Sequence, residues 1–180
     1  MLSSPELVEL QRQLTALRFE QWRHESLFSL QWWFLLFLLI APWLIWVKLV
    51  ERRRVLEISL FGALTIGLIT LMDAMGMELG LWGYRYKLTP LLPMLLPMDF
   101  SVLAVIHMLI YQYFRPWKAF ITALTVAGCV FAFIGEPFME YIGIYQRYGW
   151  LYIYSLPIYV GKAVACRLIV ATLMKLNQAR

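Results

Sequence analysis

Residues 31–50, QWWFLLFLLIAPWLIWVKLV, decide the fold class: the run carries one charge, Lys48, and that lies near its end. As a helix rising ~1.5 Å per residue, such a run spans ~30 Å, the thickness of a bilayer's hydrocarbon core. Trp32 and Trp33 at one end, and Trp46 with Lys48 at the other, suit the two membrane interfaces. Further apolar runs follow at residues 55–75, 91–114, 119–138 and 150–176. The sequence therefore predicts an all-α fold, a polytopic membrane helix bundle of five transmembrane spans over residues 31–180.

Composition agrees. Of 180 residues, 62% are hydrophobic and 16% aromatic, and only 15% are charged, against ~25% in ordinary soluble domains. One soluble core of this size could not hide so much apolar surface, whereas lipid is itself an apolar solvent. The net charge of +5 is dispersed between apolar runs and forms no basic stripe, which argues against nucleic acid as a partner. Cys129 and Cys166 belong to no CxxC pair or Cys/His spacing and read as small buried hydrophobes. Nothing resembles a nucleotide-binding loop, a zinc motif or a Ser-His triad, so no metal is expected and any cofactor is unspecified.

Ahead of the first span, Ser4-Pro5-Glu6 reads as a helix start, with Ser4 as N-cap and Pro5 at the first helical position. Leu7, Leu10, Leu14 and Leu17 recur at helical spacing, predicting an N-terminal amphipathic helix within residues 1–30 that ends near Ser26. It would lie on the membrane surface or on the protein's own spans, or dock a partner through a short coiled coil. Its polar, Glu-rich start (Glu6, Glu9, Glu20, Glu25) is unlike a signal peptide.

Pro93 and Pro97 should kink or partly unwind the third span, leaving carbonyls in need of donors, and Pro157 should interrupt the fifth. The cluster Glu51-Arg52-Arg53-Arg54, with Lys48, Arg115, Lys118, Lys175 and Arg180, marks a cytoplasmic side. The expected placement is a cell membrane, N-terminus outside and C-terminus inside, with the Trp82 loop and the loop near Arg147 outside.

Two stretches resemble one another. Asp73-Ala-Met-Gly-Met-Glu-Leu-Gly80-Leu81-Trp82 lies over Glu136-Pro-Phe-Met-Glu-Tyr-Ile-Gly143-Ile144-Tyr145, and each is followed by a Leu-Pro pair, Leu96-Pro97-Met98-Asp99 and Leu156-Pro157-Ile158-Tyr159. Spans two and three would then be duplicated, in parallel orientation, as spans four and five. This topology gathers costly residues at one face. Asp73 and Glu136 end spans two and four, Asp99 lies ~10 Å below the outer start of span three, and Lys162 lies ~16 Å into span five. Ionisable groups at such depths cost several kcal/mol unless paired, so they face a bundle interior or a cavity.

The candidate ligand-binding pocket is Asp73, Trp82, Tyr84, Asp99, Glu136 and Lys162, with His107, Tyr141, Tyr145 and Tyr154 as a second tier. A purely structural arrangement is the alternative: Asp99 paired with Lys162, and Asp73 and Glu136 bonded by Trp82, Tyr84, Tyr141 or Tyr154. His107 taken alone reads as a packing residue.

The run from Asp73 to Phe100 continues through Met108-Leu-Ile-Tyr-Gln-Tyr-Phe114, Trp117-Lys118, Phe131-Ala-Phe-Ile-Gly-Glu-Pro137 and Tyr154-Ser-Leu-Pro-Ile-Tyr159. Through these residues the chain resembles an uncharacterised family of small multi-pass membrane proteins of Gram-positive spore-forming bacteria, a resemblance that implies topology and no activity. More locally, residues 52–100 resemble the membrane-embedded lycopene cyclases. Asp73 matches that family's first acid, Trp82 and Tyr84 its loop aromatics, and Pro97-Met98-Asp99-Phe100 its last motif. There the family carries two adjacent acids; here Phe100 stands in place of the second, and Glu136 is the candidate replacement. The resemblance implies an isoprenoid-like ligand and protonation by paired carboxyls.

Three functions fit these observations. The first is a lipidic or isoprenoid-like ligand held in the acidic, aromatic-lined pocket, with or without catalysis. The second is a non-enzymatic membrane subunit that docks a partner through its N-terminal helix, and the third a small transporter or proton-coupled carrier, which at this size implies a homo-oligomer.

Overall fold

Ser29 starts the first long helix: its Oγ accepts the Trp32 N–H at 3.2 Å and caps the orphan donors of that end. In the computed structural model, which describes residues 4–178, helix α1 (Ser4–Gln21) continues into a π-helical turn, Trp22–Ser26. Then come α2 (Leu30–Leu49), α3 (Val55–Glu78), a short strand β1 (Trp82–Tyr84) and α4 (Leu103–Tyr113). They are followed by α5 (Trp117–Val130), α6 (Glu136–Tyr141), β2 (Tyr145–Arg147) and α7 (Tyr152–Gln178). Arg180, counted above among the cytoplasmic charges, lies outside the described residues.

Among the described residues four helices are long and apolar enough to cross a membrane: Leu30–Leu49, Arg52–Glu78, Trp117–Tyr141 and Tyr152–Leu176. The segment Leu30–Leu49 buries only 6% of its apolar window, and Phe37, Leu44, Val47 and Leu56 face outward. Apolar surface on that scale suits lipid and not water. Where α3, α4, α5 and α7 meet, Ile58, Phe61, Met108, Phe120, Leu124 and Cys166 form a buried core. Gly62 admits Met108 there, since a Cβ would stand 2.3 Å from its sulfur.

The third apolar run departs from its expected bounds. After two helical residues, Leu96 and Pro97, the run gives a five-residue π turn and the eleven residues of α4, ~24 Å from Met98 on and short of a full crossing. Pro93 accounts for the non-helical residues 91–95, because it removes a backbone donor and disfavours helix in the residue before it, whereas Pro97 sits in the first turn of the helix, where a missing N–H is tolerated. The unwound stretch is satisfied from several elements. Lys87 Nζ donates to the Pro93 carbonyl at 2.7 Å, Trp32 Nε1 to the Leu88 carbonyl at 3.3 Å, and the Leu95 N–H donates to Asp73 at 3.1 Å. Pro157, in contrast, does not interrupt its helix; α7 is continuous, with the proline in its second turn.

Two hydrogen-bond patterns recur 63 residues apart. The helix ends at Glu78 and Tyr141 are closed by Leu79 N to Met75 O (2.9 Å), Gly80 N to Met77 O (3.0 Å) and Leu81 N to Gly76 O (3.0 Å). The second set is Ile142 N to Phe138 O, Gly143 N to Glu140 O and Ile144 N to Met139 O, each 3.0 Å. Gly80 and Gly143 occupy the left-handed region at φ 66° and 77°, the conformation such caps demand. The following strands pair antiparallel with Gly83 opposite Gln146, and Arg85 N to Ile144 O is answered by Tyr148 N to Leu81 O, both 3.0 Å.

Helix α1 buries none of its residues. Leu7, Leu10, Leu14 and Leu17 are exposed, and Val8 and Phe19, also exposed, fall on a different side at ~100° per residue, so the apolar residues do not form one stripe. Its C-terminal continuation is pinned to the loop after β1: Trp22 Nε1 donates to the Lys87 carbonyl at 3.1 Å, and Arg85 pairs with Glu25 at 3.0 Å.

Candidate functional site

Asp73 lies near the end of α3, buried, and every donor around it is aimed at its carboxylate. Oδ1 accepts Trp82 Nε1 and the Tyr84 hydroxyl, both at 2.7 Å, and Oδ2 accepts the Leu95 N–H at 3.1 Å. β1 brings the two aromatics back over the helix end that carries Asp73, while Gly76 leaves room for the Trp82 ring: a Cβ there would lie 2.0 Å from it. Burial first, then the neighbouring Asp73, holds the Tyr84 phenol well above its ordinary titration range, so Tyr84 acts as a donor.

Leu95 links this acid to the next. Its carbonyl accepts the Met98 and Asp99 N–H groups at 3.0 and 3.2 Å, which starts the helix there and turns Asp99 toward Asp73. This places the carboxyls of Asp73 and Asp99 beside one another in the same cavity. Asp99 is 3% exposed, and its Oδ2 has no partner. The Phe100 carbonyl in this π turn is taken by Trp43 Nε1 at 3.1 Å.

Glu136 follows a third π turn, Phe131–Gly135, and its Oε1 accepts the Tyr159 hydroxyl at 2.8 Å while its buried Oε2 is unpartnered. Lys162 is 7% exposed and its ammonium sits 4.5 Å over the Tyr159 ring. The expected Asp99–Lys162 ion pair is absent among the described residues. The late start of the third helix puts Asp99 against Asp73, and the Tyr159 face holds the ammonium instead.

These groups line one cavity of about 260 Å³. Asp73, Trp82, Tyr84, Asp99, Glu136 and Lys162 all border it, and so does Tyr145, 5.8 Å from the Tyr84 ring. The remaining wall is apolar, with Ile69, Met72, Met98, Leu103, Phe131 and Met139 among its residues. His107 does not line it; buried, it bonds the Leu103 carbonyl through Nδ1 at 2.6 Å, as a packing residue would. Tyr141 is 89% exposed, and Tyr154 is half-exposed with its ring edge-on to Trp150, so neither reaches the acids. The hydroxyl expected on Glu136 comes from Tyr159, and the carboxyl beside Asp99 is Asp73 and not Glu136.

Sequence reasoning missed Leu95, Trp150, Ser155 and Tyr159. Tyr159 was recoverable, since the internal alignment lays it over Asp99; Leu95 acts through its backbone and carries no side-chain signal. Trp150 donates to Ser155 Oγ at 2.9 Å and stands edge-on to Trp82 with ring centroids 4.9 Å apart, closing one side of the cavity. Among the described residues no group of three or more His, Cys, Asp and Glu side chains converges as a metal site requires.

The arrangement offers two unpartnered carboxyl oxygens, a buried ammonium and several aromatic faces around an apolar space. No protein-family model, curated protein or solved structure matches the chain.

Proposed function

We propose that this is a five-span protein of the cell membrane whose acid-and-aromatic cavity binds a lipidic, isoprenoid-like ligand. The observation that carries the reading is the pair of buried, unpartnered oxygens, Asp99 Oδ2 and Glu136 Oε2, in a cavity with otherwise mainly apolar walls. A buried polar atom left without a partner costs ~1–3 kcal/mol, and a ligand hydroxyl or carbonyl-bearing group with a donor would recover it. The volume, about 260 Å³, lies just below the ~300–1,000 Å³ of ordinary small-molecule sites. Met75 and Leu79 line the cavity and are largely exposed, so a longer chain leaves between them into lipid.

In this reading Met98–Tyr113 and the unwound residues before it together make the third crossing. Irregular backbone at membrane depth is tolerated where protein satisfies it, and Asp73, Lys87 and Trp32 do so here. The matched caps and the exchanged bonds between Arg85–Ile144 and Tyr148–Leu81 support a duplicated hairpin with a local two-fold through Gly83 and Gln146. The basic cluster at the other end of the bundle supports a cytoplasmic C-terminus. The resemblance to the lycopene cyclases points to the same ligand class, with Asp73 and Asp99 as the carboxyl pair.

Mass spectrometry of lipid extracts from purified wild type and Asp99→Asn tests this. Wild type should carry one apolar species in near-stoichiometric amount and the variant much less; ordinary bulk phospholipid in both would end the idea.

A second reading rests on α1, which exposes Leu7, Val8, Leu10, Leu14, Leu17 and Phe19 with none of its residues buried. These would dock a membrane partner protein or a second copy. Removing residues 4–21 should then abolish co-purification of that partner or lower the oligomeric mass, while the bundle stays folded.

A further inference from the structure

A second pocket, of about 480 Å³, lies between the end of α1 and the β ladder. Its character is opposite to that of the cavity below, for it is walled by Arg18, Gln21, Glu25, Arg85, Lys87 and Gln146. Trp82 and Tyr84 line both spaces, so one indole and one phenol form the partition between them. Of the four charged groups bordering it, three are cations. Arg85 is used by Glu25 at 3.0 Å, but neither Arg18 nor Lys87 takes part in an ion pair among the described residues.

Lys87 is held in place. Its Nζ donates to the carbonyls of Pro93 at 2.7 Å and Leu92 at 3.4 Å, and lies 5.9 Å from the Tyr84 ring. An ammonium has three protons, so one is left for a ligand. The backbone around it is braced by Trp22 Nε1 on the Lys87 carbonyl and Ser26 Oγ on the Arg85 carbonyl, at 3.1 and 3.3 Å. Burial, then the charge of Arg18, lowers the Lys87 titration point to about 8, with Asp73 acting the other way. Two cations bordering one pocket, Lys87 held by its carbonyl partners and Arg18 outside any ion pair among the described residues, with the pocket's Glu25 engaged by Arg85, make a receptor for an anion.

We infer that this pocket receives a phosphate-type group, the head of an amphiphile whose chain passes Trp82 and Tyr84 into the acid-bearing cavity, where a hydroxyl farther along it meets Asp99 and Glu136. The chain's destination rests on the ligand reading above; the anion site rests on Arg18 and Lys87 alone. The ligand class is therefore a phosphate-bearing lipid or prenyl phosphate.

The full chain in neutral detergent micelles can be titrated with farnesyl diphosphate, farnesol and inorganic pyrophosphate, with tryptophan fluorescence as the readout. Farnesyl diphosphate should bind at least ~10-fold more tightly than farnesol, and Arg18→Gln or Lys87→Gln should bring it down to the farnesol level. Arg18→Lys, which keeps the charge, should retain most of the affinity, and circular dichroism confirms that each variant is folded. Competition by phosphatidylglycerol, and not by phosphatidylcholine, would support a membrane lipid as the source of the head; its absence would support a prenyl phosphate. Equal binding of farnesol and farnesyl diphosphate, indifferent to both variants, overturns the anion site and leaves the cavity reading intact. Tight pyrophosphate binding to which the farnesyl chain adds nothing overturns the shared amphiphile. No binding by any probe overturns both.

Discussion

At the scale of the residue, Asp73 organises the site. It accepts two side-chain donors and one backbone donor, so Asp73→Ala strands three buried groups at once, a loss of ~3 kcal/mol or more at ~1–3 each. Asp99→Asn leaves these three bonds in place and should cost less than ~1.5 kcal/mol; denaturation in mixed micelles will rank the two. Gly76→Ala should expel the Trp82 ring, for which its Cβ would leave only 2.0 Å, and the indole's loss from Asp73 should shift the fluorescence maximum. Lys87 titrates near 8 in the folded chain against an ordinary 10.5. Between those values the unfolded chain holds the extra proton, so stability should rise with pH across that window, and Lys87→Gln should flatten the rise. Arg18, Asp73 and Tyr84 face Lys87 and set the size of the effect. Asp73, Trp82, Tyr84 and Asp99 were legible in the sequence because lipid makes buried charge conspicuous. Tyr159 was legible only through the repeat, and the carbonyl and amide of Leu95 not at all.

At the scale of the element, apolar length placed four helices within a few residues. The third run misled because hydropathy counts composition and not donors: residues 91–95 around Pro93 are apolar but not helical, while Pro97 and Pro157, each near a helix start, were absorbed. The π turns Met98–Val102 and Phe131–Gly135 have no signature in composition, yet they position Asp99 and Glu136. The caps offer a clean test of the repeat. Gly80 at φ 66° has no neighbouring atom within 4 Å of a would-be Cβ, and Gly143 at φ 77° has only Tyr86 at 3.9 Å. Alanine at either position should therefore cost the same conformational penalty, ~1–2 kcal/mol, as read by thermal unfolding in detergent. Unequal costs would count against equivalence of the two hairpins.

At the scale of the whole molecule, an apolar exterior surrounds unwound backbone satisfied from within and a cavity that gathers Asp73, Asp99, Glu136 and Lys162. Cysteine labelling in intact cells should find sites at Gly80 and Gln146 open from outside and one at Lys118 closed; the reverse pattern would invert the topology. The central claim is that the space bounded by Asp73, Asp99 and Glu136 holds a lipidic molecule. Native mass spectrometry of the chain released from nanodiscs tests it most directly, comparing wild type with Met72→Trp, which fills the cavity from a half-buried wall position. The account predicts a single retained adduct of defined mass on wild type and none on the folded variant; a bare wild-type chain, or the same adduct on both, would contradict it.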